Sequence, residues 1–244
     1  MLIGASLKMY FSHARTVEWA TAVGEIVAQH PAGARVEAFV IPQYPSIPAC
    51  VEVGGPLAVG AQDVATADEG AFTGEVSGAV LAELGCTLVE VGHAERRRLF
   101  GETDQVVAEK VHAALRNDLV PLICVGESDR MPAAEAAVHV LAQIDQALSE
   151  AAAANVRGAF VVAYEPLWAI GAPEPAAPAH IRAVCRAVRD GLAGRDARII
   201  YGGSAGPGLL TESADSVDGL FLGRFAHDPA AVRAILDEVE SLPA

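Results

Sequence analysis

The strongest constraint on this chain is a rhythm. Short runs rich in Val, Ile, Leu and Ala recur from end to end, at residues 2–7, 36–41, 57–61, 88–91, 120–125, 159–164, 198–201 and 219–222. A strand covered on one face alternates apolar with polar. Most of these runs do not, which is the mark of parallel strands buried on both faces. Between them, residues 13–29, 104–117, 132–153 and 178–192 carry helical spacing. Asp228-Pro229 opens a further helix with an N-cap followed by a proline at the first helical position. The helices after the second, third and seventh runs are predicted to be short. Eight strands alternating with helices over 244 residues predict an α/β fold, a closed (β/α)8 barrel forming a single domain, residues 1–244. The open doubly wound alternative announces itself with a glycine-rich GxGxxG turn after its first strand. Here that strand ends in Ser6-Leu7-Lys8.

Composition narrows the function. Hydrophobic residues make up 52% of the chain, enough for a large core. No run approaches the roughly 18 uninterrupted apolar residues of a membrane span, so none is expected. The apolar start, MLIGASLKMYF, lacks a basic leader region and a cleavage pattern, and reads as a first strand retained in the mature protein. Cys50, Cys86, Cys124 and Cys185 are scattered, with no CxxC or Cys/His ligand spacing. Neither a disulfide framework nor a metal site is expected, no cofactor motif is present, and a reduced cytoplasm fits best. A net charge of -14 argues against nucleic acid or an anionic membrane surface as partner. An anionic substrate would need a locally positive pocket.

A barrel of this kind carries its chemistry at the C-terminal ends of the strands, so the residues there are the candidates. The stretch FVVAYEPLWAIG places one carboxylate, Glu165, at the end of a buried strand and breaks at once on Pro166. Desolvation there raises a carboxyl pKa and makes a better base near neutrality; otherwise Glu165 is merely the first solvated residue. Lys8 follows the first strand, as a mouth cation or a snorkelling surface lysine. Gln62-Asp63 follows the third, and beyond it comes a tight glycine-flanked loop from Gly70 to Glu75. After the fourth, His93 opens a charged helical turn, whose donor-rich start favours neutral imidazole unless the residue is simply a surface histidine. Gly126-Glu127 follows the fifth, and Cys124 reads as a small core residue. Gly202-Gly203-Ser204 and Gly223-Arg224 follow the last two. Glycine-rich turns there, leading into short helices, are where barrels commonly hold a phosphate on main-chain N–H groups. A base, a neutral electrophile, a cation and a phosphate cradle suit proton abstraction beside the carbonyl of a small phosphorylated sugar.

The motifs GAQDV, GAFTGEVSGAVLAELG, VEVGHAERRRLFGETD, ICVGE, AYEPLWAIG, YGGS and DGLFLG occur in that order, and the chain resembles the triosephosphate isomerase family over nearly its whole length. The resemblance implies a TIM barrel, with Glu165 as base and His93 as neutral electrophile, a pairing for which this family is the familiar example. It further implies Lys8 as electrostatic stabiliser and Glu95 as a buried carboxylate near it. Gly171, Gly202, Gly203, Ser204 and Gly223 would form the phosphate site, and Pro166 to Ala176 a closing lid. It also implies a homodimer in which the loop from Gly70 to Glu75 enters a neighbouring subunit near Lys8 and Glu95. Four departures stand out. Ser6 and Leu7 replace the usual Asn-Trp, so the polar side chain facing the substrate is shorter. Ala94 replaces a serine. Arg224 replaces a second glycine. Ala172-Pro173-Glu174-Pro175 closes the lid with two prolines, which fix φ and should stiffen the hinge. The GLFLGR pattern resembles the branch of the family that isomerises tetrulose phosphates such as L-erythrulose 1-phosphate. The expected activity is therefore an aldose–ketose isomerase of a three- or four-carbon sugar phosphate. The alternatives are a strict triosephosphate isomerase of central carbon metabolism, serving glycolysis and gluconeogenesis, and an inactive barrel that binds a phosphorylated metabolite.

Overall fold

The computed structural model describes residues 1–243; Ala244, the last residue of the expected domain, lies outside them. In chain order the elements are β1 (Leu2–Ser6), α1 (His13–Gln29), β2 (Glu37–Ile41), α2 (Ile47–Val53), β3 (Ala58–Ala61), α3 (Gly78–Glu83) and β4 (Leu88–Val91). There follow α4 (Ala94–Phe100), α5 (Asp104–Arg116), β5 (Val120–Val125), α6 (Ala133–Ala147), α7 (Ser149–Ala153), β6 (Phe160–Tyr164), α8 (Pro178–Gly191), β7 (Ala197–Ala205), α9 (Leu209–Ser213), β8 (Gly219–Leu222) and α10 (Pro229–Ser241). The strands hydrogen-bond in the order β1 to β8 and close into a barrel, as the rhythm of the sequence predicts. Every pairing is parallel, and Leu2 stands opposite both Glu37 of β2 and Gly219 of β8.

Side chains on a strand point alternately to its two faces, so parity decides which fill the barrel and which meet the helices. Leu2, Phe39, Leu88, Leu122, Val161 and Phe221 belong to a cluster inside the ring. Ile3, Val40, Val89, Ile123, Val162 and Ile199 belong to the larger core between strands and helices. By the same parity Ser6, Glu90 and Glu165 share the interior side, above that apolar filling.

Two local expectations are corrected. Residues 132–153 do not form one helix: α6 ends at Ala147, and the short α7 follows after Leu148, whose backbone sits at φ -89° and ψ -4°. The Gly202-Gly203-Ser204 segment is not a turn after β7 but part of the strand, which runs on to Ala205 with an irregular register between Tyr201 and Ala205.

Below the mouth, one buried ion cluster ties β3 to α4 and α5. Lys110 Nζ lies 2.7 and 2.8 Å from the two Asp63 oxygens and also binds Glu102. Arg96 reaches Asp63 at 2.9 Å and pairs with Glu102 as well. Burial holds the Asp63 carboxyl above its ordinary value against the pull of Lys110. Burial also pushes Glu102 up, but hydrogen bonds from Lys110 and Arg96 leave it below its ordinary value. Removing one partner from such a cluster strands buried charge. Lys110→Met is therefore expected to cost about 3–5 kcal/mol, read as a lowered midpoint in urea unfolding. A loss below about 1 kcal/mol, the range of an exposed pair, would mean that the cluster is already effectively solvated.

Candidate active site

Glu165 sits one residue past β6, and its N–H donates to the Val125 carbonyl at 2.8 Å. Its seat exists because two neighbours lack a side chain. A Cβ on Gly126 would fall 2.2 Å from the Glu165 carbonyl oxygen, and one on Gly202 would fall 2.6 Å from Oε1. The residue is buried, and Oε2 has no hydrogen-bond partner. A desolvated carboxylate oxygen without a donor is free to accept a proton from a ligand.

His93 faces it. It is the N-cap of α4, and its Nδ1 accepts the Glu95 main-chain N–H at 3.1 Å. An imidazole that accepts at Nδ1 is neutral and carries its proton on Nε2. That nitrogen lies 3.9 Å from Glu165 Oε2 and 3.9 Å from Glu90 Oε1. Lys8 completes the group. Its φ of 47° is left-handed, a strained conformation for a residue with a side chain. The strain is held by Gln62, which donates to the Lys8 carbonyl at 2.9 Å and to that of Ile41 at 3.2 Å. Lys8 Nζ donates to Glu95 Oε1 at 2.8 Å. Burial pulls the lysine pKa down, but the Glu95 hydrogen bond and charge more than offset it and leave it raised. Burial likewise pushes Glu95 up, and Lys8 brings it below its ordinary value. Both stay charged at neutral pH.

Glu90 was not among the residues expected here. It lies inside β4, buried, and burial first, then the nearby Glu165 charge, push its carboxyl up. The Ser6 hydroxyl is close enough to offset part of that rise, yet has no hydrogen bond of acceptable geometry. Cys124 Sγ stands 3.9 Å from Glu90 Oε1, and burial keeps this thiol protonated, in keeping with a core role. The signal for Glu90 was in the sequence: a lone carboxylate in LVEV, in step with the inward-facing Leu88.

The segment from Pro166 to Ala176 covers one side of the site and is anchored at both ends. Glu127, fully buried, accepts from Tyr164 Oη at 3.1 Å and from Trp168 Nε1 at 3.0 Å, and its carbonyl accepts the Leu167 N–H at 2.9 Å. At the far end the Ala176 N–H donates to Tyr201 Oη at 2.9 Å. Between them the Ser204 hydroxyl reaches the carbonyls of Ala169 at 2.8 Å and Ala172 at 3.0 Å. Its one proton is thereby committed to this segment, so in this arrangement only its main chain can donate to an anion.

The cavity at this mouth is about 920 Å³. Of the eleven residues expected at the site, ten line it; Gly203 does not, and packs instead beneath the Tyr201 hydroxyl. Arg224 stands exposed on the rim, where its charge helps to lower the pKa of neighbouring His227, after burial and Arg15. Arg98 also lines the cavity. Neither arginine has an ion-pair or hydrogen-bond partner for its side chain among the described residues.

The position of Glu90 makes stability depend on pH in a defined direction. A carboxyl raised by the fold is still protonated when the unfolded chain has lost its proton, so its contribution is fully present below the ordinary value of 4.5. Above that, stability falls by about 1.4 kcal/mol per pH unit until the folded-state pKa is passed. Glu90→Gln cannot titrate. In thermal unfolding between pH 4 and 8, the variant's advantage over the wild type is expected to grow as pH rises. A difference that stays flat across that range would show that Glu90 ionises as it does in water.

Comparison with known proteins agrees with this geometry. A family model described as triosephosphate isomerase matches residues 1–239. The L-erythrulose-1-phosphate isomerase of Pectobacterium atrosepticum is 52% identical over 250 residues, covering 99% of this chain and 96% of its own. Triosephosphate isomerases of a Synechococcus species and of Rhodopirellula baltica are 35% and 39% identical, covering 100% and 91% of this chain and 99% and 91% of theirs. The barrel, the mouth and the relatives agree: the chain is a sugar phosphate isomerase and belongs to the triosephosphate isomerase family.

Proposed function

We propose that this isomerase moves the carbonyl of a tetrulose 1-phosphate such as L-erythrulose 1-phosphate, with Glu165, His93 and Lys8 as the catalytic groups. The observation that carries the reading is the 52% identity to a protein of that name, against 35% and 39% for the two triosephosphate isomerases. Glu165 removes the proton from the hydroxyl-bearing carbon beside the carbonyl. The electron pair forms the double bond of an enediolate, and the carbonyl oxygen takes the negative charge. His93 Nε2–H donates to that oxygen, and Lys8 stabilises the charge. Glu165 returns its proton to the former carbonyl carbon, and His93 passes the hydroxyl proton between the oxygens. Nothing is gained or lost. In a triose the new carbonyl is an aldehyde; in the tetrulose that carbon bears a hydroxymethyl group, so it becomes the ketone while the original carbonyl becomes an alcohol.

The phosphate lies across Gly171, Gly202, Ser204 and Gly223, which line the cavity, with Arg224 reaching over it from the rim. Such a charge-assisted contact contributes roughly 1.5–3 kcal/mol. The shorter Ser6 leaves room for the fourth carbon. The active unit is a homodimer, in which the loop from Gly70 to Glu75 enters a second copy near its Lys8 and Glu95. The apolar side chains left outside support this: Phe72 in that loop is 52% exposed, Met9 beside Lys8 is 84% exposed and Phe100 at the end of α4 is 67% exposed. All four cysteines are free and buried, which suits a reducing cytoplasm. Among the described residues no helix is long and apolar enough to cross a membrane.

Two measurements test this. Values of kcat/KM for L-erythrulose 1-phosphate and glyceraldehyde 3-phosphate are compared in the wild type, Arg224→Gly and Glu165→Asp. The tetrulose phosphate is expected to be preferred, Arg224→Gly to weaken that preference, and Glu165→Asp to lose about a hundredfold with either sugar, since the carboxylate withdraws by roughly 1 Å. Equal or better use of the triose, indifferent to Arg224→Gly, leaves a triosephosphate isomerase. For assembly, sedimentation at micromolar concentration should give twice the chain mass; a fully active monomer would refute the dimer.

A further inference from the structure

We propose that Glu90 is a specificity residue: held as the neutral acid, it donates a hydrogen bond to the terminal hydroxymethyl oxygen of the tetrulose phosphate. This rests on the tetrulose reading and extends it to a residue within the barrel.

The argument begins with the substrate's shape. The hydroxymethyl group that distinguishes a tetrulose 1-phosphate from a triose is bonded to the carbon that Glu165 deprotonates. It must therefore lie beside Glu165 and His93, at the end of the molecule away from the phosphate. With the phosphate at the Gly171–Arg224 rim, that end points at Ser6 and the barrel interior. There the protein leaves polar groups unsatisfied. Among the described residues only three buried side-chain polar atoms lack any hydrogen-bond partner, and two of them, Ser6 Oγ and Glu165 Oε2, are in this place. Buried polar atoms without partners cost stability and are rare, so a pair at one spot points to a ligand that supplies what is missing.

Glu90 is buried and does not itself line the cavity; it stands directly behind Ser6 and His93, which do. His93 Nε2 is 3.9 Å from its Oε1 and 3.9 Å from Glu165 Oε2, so the two carboxyl groups flank one edge of the imidazole. Its other near neighbours are the Ser6 hydroxyl and Cys124 Sγ, the latter a weak donor at 3.9 Å, the limit of contact. No cation pairs with it directly, and the surrounding barrel filling is apolar. A carboxyl there is disposed to keep its proton, as its raised pKa agrees. A neutral acid is a donor as well as an acceptor. It can give its O–H to the substrate hydroxyl oxygen, while that hydroxyl gives its own proton to Ser6 Oγ. A triose has no group to meet either atom.

The test uses the full-length enzyme and three substrates: L-erythrulose 1-phosphate, its 4-deoxy analogue with a methyl in place of the hydroxymethyl, and glyceraldehyde 3-phosphate. In the wild type, the deoxy analogue should lose roughly 10- to 100-fold in kcat/KM relative to the tetrulose phosphate. Glu90→Leu should lose a similar factor on the tetrulose phosphate, little on the triose, and should no longer distinguish hydroxyl from deoxy. Glu90→Gln, which keeps a donor at the same place, should restore most of the discrimination. It also carries the test if the leucine variant does not fold. Equal losses on all three substrates in the variants, or unchanged discrimination in both, would overturn the contact alone. A wild type that turns over the triose but ignores the tetrulose phosphate would overturn the substrate reading and this contact with it.

Discussion

The pairing that closes β8 back onto β1 is the constraint on which the mouth depends. Once Leu2 is matched to both Glu37 and Gly219, every strand has two neighbours and no edge is left. The ring then fixes parity, and parity fixes which side chains are dry. Ser6, Glu90 and Glu165 come from strands far apart in sequence, yet all fall on the inner face at about the same height. Their lower neighbours, Leu2, Phe39, Leu88, Leu122, Val161 and Phe221 among them, are buried and apolar. A one-residue slip in any of these strands would turn its polar group out among the helices.

Around that fixed ring the site is assembled from small concessions. Lys8 adopts a left-handed backbone, Gly126 and Gly202 give up their side chains to Glu165, and His93 spends its Nδ1 lone pair on capping α4. Each would be a defect elsewhere. Here each removes a degree of freedom from a group whose chemistry depends on its position. The segment from Pro166 to Ala176 follows the same logic. Its ends are tied to Glu127 and Tyr201, side chains from the rigid barrel region, while the span between them rests on the Ser204 hydroxyl.

The barrel was legible, and Glu165, His93 and Lys8 stood out as candidates, because both depend on local patterns: apolar runs, and unusual residues directly after them. What was missed depends on contacts between distant segments. Glu127 was visible as a strand-end residue, but its partners Tyr164, Trp168 and His180 lie 37 to 53 residues away. The Lys110–Asp63 pair spans 47 residues, and Lys110 sits in α5, where helical spacing marks it only as one more charge. Glu90 was hidden by its surroundings, since a strand of four residues with one carboxylate still scores as apolar. The extension of β7 through Gly202-Gly203-Ser204 was missed because glycines read as a turn, whereas here they let the strand pass beneath Glu165.

The net charge of -14 set a problem for any anionic substrate, and the distribution of charge at the mouth resolves it. At physiological ionic strength, charges more than about 8 Å away are largely screened. Most of the acidic surface therefore contributes little to the field inside the cavity. Within that range Lys8 and Glu95 cancel as a pair, while Arg98 and Arg224 line the cavity with no partner of their own among the described residues. A dianionic phosphate entering from outside meets those two guanidinium groups before it meets Glu165. The Glu165 carboxylate is buried, walled by Gly126 and Gly202. The cations thus stand at the rim and the carboxyl groups in the barrel. Glu90, buried within β4, is left in apolar surroundings that favour retention of its proton.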